Sequence, residues 1–223
     1  MATTGAITDY WHSYSIADIV SDVRVILDYN RVDTPLVTAG ETAGLDVDDL
    51  IEGNIVTAAR DVMLEAPTEL LGSGSSFSTN NAYSYGTDLG GYVILPHDFL
   101  RLLSFKMSDW RYAVHEALPA TSPEYAQQGS KHAGIRGNYQ RPTCFLRPHS
   151  NGLRLDYSVS SGTISEPQYV PYPYISGNNI SLPPRLLHGI EYMCGALCCL
   201  SVGDADRYQA MKATARDLCK IKD

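Results

Sequence analysis

The stretch 91–110, GYVILPHDFLRLLSFKMSDW, constrains the fold of this chain more than any other. Tyr92, Val93, Ile94 and Leu95 make a short β-prone run. Pro96 has no N–H to give to a ladder, so it ends that strand or confines it to an edge. His97 and Asp98 carry the chain through a turn. Leu103, Phe105 and Met107 then alternate with Ser104 and Lys106, the period of a half-buried strand. A strand, a turn and a second strand therefore sit near the middle of the sequence.

Helical signals flank this element on both sides. Residues 1–14 read as an N-terminal arm, with Tyr10, Trp11 and Tyr14 as docking side chains. Ser15 opens a first predicted helix, with Asp18 near the spacing of a capping box. Ile16, Ile19, Val20, Val23, Ile26 and Leu27 follow a helical period. After Pro35 and a Thr/Gly-rich loop, Asp46 caps a second helix. Its stripe is Val47, Leu50, Ile51, Ile55, Ala58, Ala59 and Val62, and Pro67 marks its end. The two helices read as a hairpin over residues 15–71.

Toward the other end, Ser181 to Pro184 starts a third predicted helix, because proline is tolerated in a first turn. Leu186, Leu187, Ile190, Met193, Cys194 and Leu197 form its apolar face. Gly203 breaks it. Asp204 caps a fourth helix through Tyr208, Met211, Ala215 and Leu218, and residues 181–223 are expected to pack on the first helical pair.

Between the helices, residues 72–180 read as β-rich with long loops. GSGSSFSTNN, 72–81, is a connector, and 111–115 is a further strand. Residues 122–140 form a long irregular excursion with one helical turn after Pro123. Segments 143–147 and 153–159 form a hairpin, with Asn151 and Gly152 as a φ > 0 pair in its turn. EPQYVPYPYISGNN, 166–179, reads as extended, polyproline-like chain over a surface. The expected fold class is α+β: an amphipathic helix bundle from both chain ends with an inserted antiparallel β-rich middle.

Composition narrows the function. The 223 residues suffice for one large or two small domains. No apolar run approaches the roughly 20 residues of a membrane helix. The first residues, MATTGAITDYWHSYS, lack the basic and apolar regions of a secretion signal. Residues 1–70 carry thirteen acids against three bases, a balance of −10, and residues 71–223 carry twelve against fourteen, a balance of +2. The net charge of −8 gives no broad electrostatic case for gripping nucleic acid. Fifteen tyrosines stand against four phenylalanines, so aromatic area is mostly supplied with a polar tip. That suits surfaces wet on one side, such as contacts with neighbouring subunits or with carbohydrate. Five cysteines is an odd number, and Cys194, Cys198, Cys199 and Cys219 fall in helical sequence. They read as reduced, buried apolar residues.

Candidate chemistry is sparse. His97-Asp98 and His115-Glu116 pair imidazole with carboxylate, but adjacent strand residues point to opposite faces. Cys194 and Cys198 share a helix face, yet His188 is six residues away and no Cys-x-x-Cys pair exists for zinc. Cys144 as a nucleophile would need His149 as its base, on the same hairpin. No phosphate loop, dinucleotide fingerprint or H-E-x-x-H is present. No catalytic residue, metal ligand or cofactor site is assigned, and no enzymatic activity is expected.

At Leu95-Pro96-His97-Asp98-Phe99-Leu100-Arg101-Leu102, running on to Phe105-Lys106-Met107-Ser108-Asp109-Trp110, the chain resembles tailed-phage head–tail connectors of the tail tubular protein A type. The flavour is close to virion proteins of crAss-like and related Bacteroides phages. The order of elements is similar too. The resemblance implies a neck-ring subunit joining portal to tail, with about twelve copies around a DNA channel. Its partners would be itself, the portal, adjacent neck or tail rings, and DNA passing without sequence-specific binding; no membrane is involved. Its place would be the virion neck, after assembly in the host cytoplasm. The chain departs in its 122–140 excursion and its Tyr/Pro-rich 166–175 segment. Tyr125, Tyr139, Tyr169, Tyr172 and Tyr174 in those segments are the expected subunit contacts. Arg207, Lys212, Arg216, Lys220 and Lys222, at roughly helical spacing, are the expected interface to an acidic portal or neighbour. Two other functions compete with this one: a tail-associated glycan- or receptor-binding module, and a hydrolase using Cys144 or a histidine.

Overall fold

The computed structural model describes residues 11–29, 47–80, 82–86, 89–128, 130, 132 and 135–222. The expectations for residues 1–10, for the loop from Pro35 through 38–44, and for the Asp46 cap lie outside the described residues.

The chain begins with strand β1 (His12–Ser15) and helices α1 (Ile16–Tyr29), α2 (Val47–Glu65) and α3 (Thr68–Leu71). Strands β2 (Ser75–Ser76), β3 (Ala82–Gly86), β4 (Gly90–Ile94), β5 (Phe99–Met107) and β6 (Leu118–Pro119) follow. The short helix α4 (Pro123–Gln127) precedes β7 (Cys144–His149), β8 (Gly152–Tyr157) and β9 (Ile164–Pro171). The chain closes with β10 (Ile175–Ser176), β11 (Asn179–Leu182), α5 (Leu187–Ser201) and α6 (Ala205–Leu218). Two compact units result: Met1–Gly72 with Pro173–Asp223, and Ser73–Tyr172.

In the first unit α5 is central. Its sequence is apolar on nearly every side, and nine of its residues are buried, so it takes neighbours all round. Helices α1, α2 and α6 pack on it. The stripe of α1 (Ile16, Ile19, Val20, Val23, Ile26, Leu27) is buried, as are Ile51, Ile55, Ala58, Ala59, Val62 and Met63 of α2. Each such Ile, Leu or Val contributes about 1.5–3 kcal/mol relative to exposure. The expected hairpin of the first two helices is secondary, because both pack more extensively on α5 than on each other.

The helix bundle from both chain ends, with one inserted β-rich middle, is not what forms. Eleven strands in three sheets run through both units among the described residues. The helical unit has its own antiparallel sheet, ordered β1-β11-β10. His12 pairs Leu182 and Ser15 pairs Asn179 in it, and Ile180 and Leu182 are buried. Strands this short and polar carry no local signal, and their backbone groups find partners only across the chain. This sheet also displaces the expected start of the third helix. Ser181 and Leu182 belong to β11, so α5 begins at Leu187.

The second unit holds two sheets, β2-β9-β5 and β3-β4-β8-β7-β6. One apolar core joins them, including Val93, Leu102, Phe105, Met107, Trp110, Cys144, Leu155, Tyr157 and Tyr169. Phe105 stacks on Phe77 and meets Trp110 edge-on at 5.7 Å, and Trp110 Nε1 donates to the Val159 carbonyl at 3.0 Å.

Three local expectations change. The 166–171 stretch is not a polyproline-like surface run but part of β9, the middle strand of its sheet. Pro167 lacks an N–H, yet its carbonyl accepts from Phe77 N at 2.9 Å. The strand expected at 111–115 reduces to a single bridge between Val114 and Phe105. The 143–159 hairpin forms with His149 opposite Gly152, but only Gly152 of the turn pair has positive φ.

Candidate functional site

A strand presents every second side chain on one face, so register decides which residues meet. In the five-stranded sheet, Tyr83 lies opposite Tyr92, Tyr92 opposite Asp156, and Asp156 opposite Phe145. Two residues along, Ile94 lies opposite Arg154, and Arg154 opposite Arg147. The face away from the core therefore gathers Tyr83, Tyr92, Arg154, Asp156, Phe145 and Arg147. Val93, Leu155 and Cys144 take the core side.

The rings on this face are in mutual contact. Tyr83, Tyr85 and Tyr92 have centroids 5.3–5.9 Å apart, and Tyr92 lies 5.8 Å from His149. Arg154 stands 4.7 Å above the Tyr92 ring. Tyr83 and Tyr85 stay about half exposed, at 54% and 47%. At the other end, Tyr125 of α4 covers Phe145 edge-on at 5.2 Å, which leaves Phe145 1% exposed. The start of the excursion, 123–128, thus folds back on the sheet. Gln128 Nε2 anchors it further by donating to Thr143 Oγ1 at 3.1 Å.

One carboxylate organises the charge. Asp156 is 8% exposed, and its oxygens lie 2.8 Å from Arg154 Nε and 3.7 Å from Arg147 Nη1. Burial works against the Arg154 cation, but Asp156 together with Tyr85 and Tyr125 outweighs it and raises the guanidinium's pKa. Burial, then the Asp156 charge, pushes the Tyr85 phenol up. Arg147 donates to the Tyr125 hydroxyl and lies over its ring. A cleft of about 470 Å³ opens beside this network, lined by Tyr85, Tyr125, Gln128, Arg136, Asp156 and Ser158 among others. Arg136 Nε is buried at its wall and has no hydrogen-bond partner among the described residues. Strand β4 can run past here because residue 91 is glycine: a Cβ would overlap the Tyr83 carbonyl oxygen and the Tyr157 hydroxyl.

The residues singled out from sequence are scattered. Tyr169 is buried, and its hydroxyl donates to Asp98 at 2.9 Å, which ties it into its own chain. Burial, then the bond to Asp98 and its charge, raises that phenol to about 12. Tyr139 packs half-buried against the core, and Tyr125 is the cover of Phe145. Tyr172 and Tyr174 are exposed, at 39% and 67%. Of the bases, Arg207 pairs with Asp204 at 3.2 Å and Arg216 pairs with Glu65 of α2. Lys212 lies over the Tyr208 ring and donates to its hydroxyl at 3.2 Å, while Lys220 and Lys222 are exposed.

The catalytic candidates do not come together. Cys144 faces the core, where burial pushes its thiol well up, and His149 lies five residues on, on the opposite face. Asp98 is held by Tyr169, while His97 is exposed. His115 Nδ1 lies 2.8 Å from the Leu103 carbonyl oxygen. His188 pairs with Glu191 at 2.8 Å. All five cysteines are buried and free, and the hydrogen bond with Cys198, then burial, raises the Cys194 thiol. No metal-binding group of three or more His, Cys, Asp or Glu occurs among the described residues. No helix among them is long and apolar enough to cross a membrane.

Sequence reasoning found the tyrosine excess but not the face that uses it. The signal was present in Tyr83 and Tyr85, two apart on β3, and in Tyr92 on β4, but only the pairing register aligns them with Arg147 and Arg154. No protein-family model matches this chain, and no curated protein matches it in sequence.

Proposed function

We propose that this protein is a structural virion subunit, a head-to-tail adaptor of the neck that joins portal to tail and forms part of the DNA conduit. The observation that carries the reading is the 95–102 element in its place. Strand β4 ends before Pro96, the turn holds His97 and Asp98, and β5 starts at Phe99. Asp98 accepts from the Tyr169 hydroxyl, Phe99 stacks on the Tyr169 ring at 5.9 Å, and Leu102 is buried. The residues that carry the resemblance to head–tail connectors thus make a braced turn between strands of two different sheets, which suits a scaffold. The chain order supports the same reading, with helices α1 and α2 before the β unit and α5 and α6 after it.

The work of such a subunit is assembly. Exposed Tyr172 and Tyr174 and the lysines at 220 and 222 are the surfaces it offers to neighbours. Arg216 and Arg207 serve their own chain through Glu65 and Asp204. Light scattering on size-exclusion peaks of the purified chain, alone and mixed with the portal, tests the proposal. A closed oligomer of one defined mass, in either condition, is expected. A monomer in both, at all concentrations tried, overturns it.

A further inference from the structure

We propose that the cleft beside Tyr85, Tyr125 and Arg136 binds a neutral saccharide. The site is independent of the adaptor reading. Its volume, about 470 Å³, falls within the roughly 300–1,000 Å³ of small-molecule sites. Its walls combine aromatic rings with planar hydrogen-bonding groups. Tyr85 and Tyr125 supply ring area and hydroxyls. Gln128, Arg136 and Asp156 supply donors and acceptors, and Ser158 adds another hydroxyl. A pyranose has that mixed surface: C–H faces that stack on rings, and a rim of hydroxyls that both donate and accept.

Other ligand classes fit less well. Among the described residues the lining carries one arginine and one aspartate. Phosphate or a nucleic-acid backbone would meet the Asp156 carboxylate, which already holds Arg154 and Arg147. A purely apolar ligand would leave Arg136 Nε buried without a partner, as it stands among the described residues. A ligand hydroxyl accepts from that N–H. The half-exposed Tyr85, next to Tyr83 and Tyr92, extends the platform outward for a second sugar ring.

Saturation-transfer NMR on the full chain tests this, with the methyl glycosides of glucose, galactose, mannose and N-acetylglucosamine as probes. At least one glycoside is expected to receive saturation, and inorganic phosphate is expected not to displace it. Tyr85→Ala and Arg136→Met should each weaken binding about tenfold or more. Tyr85 is exposed enough that its variant keeps the thermal midpoint of the parent, which separates lost binding from lost fold. No transfer from any of the four glycosides overturns the proposal. So does binding that survives Tyr85→Ala unchanged, or displacement by phosphate, which marks an anion site.

Discussion

Gly189 on α5 is the position where the packing of the helical unit is most exposed to test. A Cβ added there would overlap Cys219 Sγ, would meet the Ala215 carbonyl oxygen at 3.2 Å, and would touch Cys219 Cβ at an ordinary 3.6 Å. Gly189→Ala improves helix propensity by about 1 kcal/mol. Against that, a fully buried clash at the α5–α6 contact costs about 1–3 kcal/mol, and a sulfur only two bonds from the Cα of a buried residue has little room to yield. With so little room the clash falls in the upper half of that range, and a net loss of about 1–2 kcal/mol is expected. Cys219→Ala removes a buried sulfur and loses about 1 kcal/mol. If the two effects were independent, the double variant would lose about 2–3 kcal/mol. The geometry says otherwise, because removing Sγ leaves the new Cβ only the 3.6 Å and 3.2 Å contacts. The double variant should therefore lie within about 1 kcal/mol of the parent, a coupling of about 2 kcal/mol. Urea unfolding followed by far-UV circular dichroism reads all four proteins. Losses that add to within about 0.5 kcal/mol, or a Gly189→Ala variant more stable than the parent, would refute the close approach of α5 and α6.

Three further outcomes are expected. Tyr169→Phe should cost about 1 kcal/mol by removing the bond to Asp98, and should flatten the alkaline limb of stability. The raised phenol stabilises the fold fully below the unfolded value near 10, and that contribution is lost as pH rises through about 12, so urea midpoints from pH 8 to 12 check it. Lys220 has φ 53 and follows α6 in a Schellman arrangement, with Lys220 N bonded to the Asp217 carbonyl and Ile221 N to that of Arg216. Lys220→Gly should therefore raise stability by about 1 kcal/mol in the same urea assay, and a loss would contradict the left-handed cap. Hydrogen exchange at Tyr172 and Tyr174 should slow on assembly while that of Tyr169, already in β9, stays unchanged; equal rates at all three in both states would count against those surfaces as contacts.

What was legible in the sequence follows from how far each signal reaches. The α1 stripe of Ile16, Ile19, Val20, Val23, Ile26 and Leu27 repeats within one helix, and every member is buried. Asp204 as the cap of α6 is equally local, and it accepts from Arg207 N at 3.1 Å. Leu155 and Tyr157 in β8 were visible by alternation, and both reach the core. The larger misreadings are cases where a partner distant in sequence decides. β1 and β11 become strands because they find each other, and Pro167 and Pro171 disguise a central strand whose other residues are held by β5 and β2. Tyr169 reads as one more surface tyrosine until Asp98 is placed beside it. The candidate site failed to show for the same reason: Tyr83, Tyr92, Asp156 and Phe145 come from four strands, and no window of sequence contains them together.

The adaptor reading stands most directly on ring closure. Electron microscopy of the purified assembly, formed alone or on the portal, measures it with rotational averaging. The account predicts a closed ring of identical subunits around a channel wide enough to pass duplex DNA. Open-ended polymers, or particles with no central channel, would contradict it.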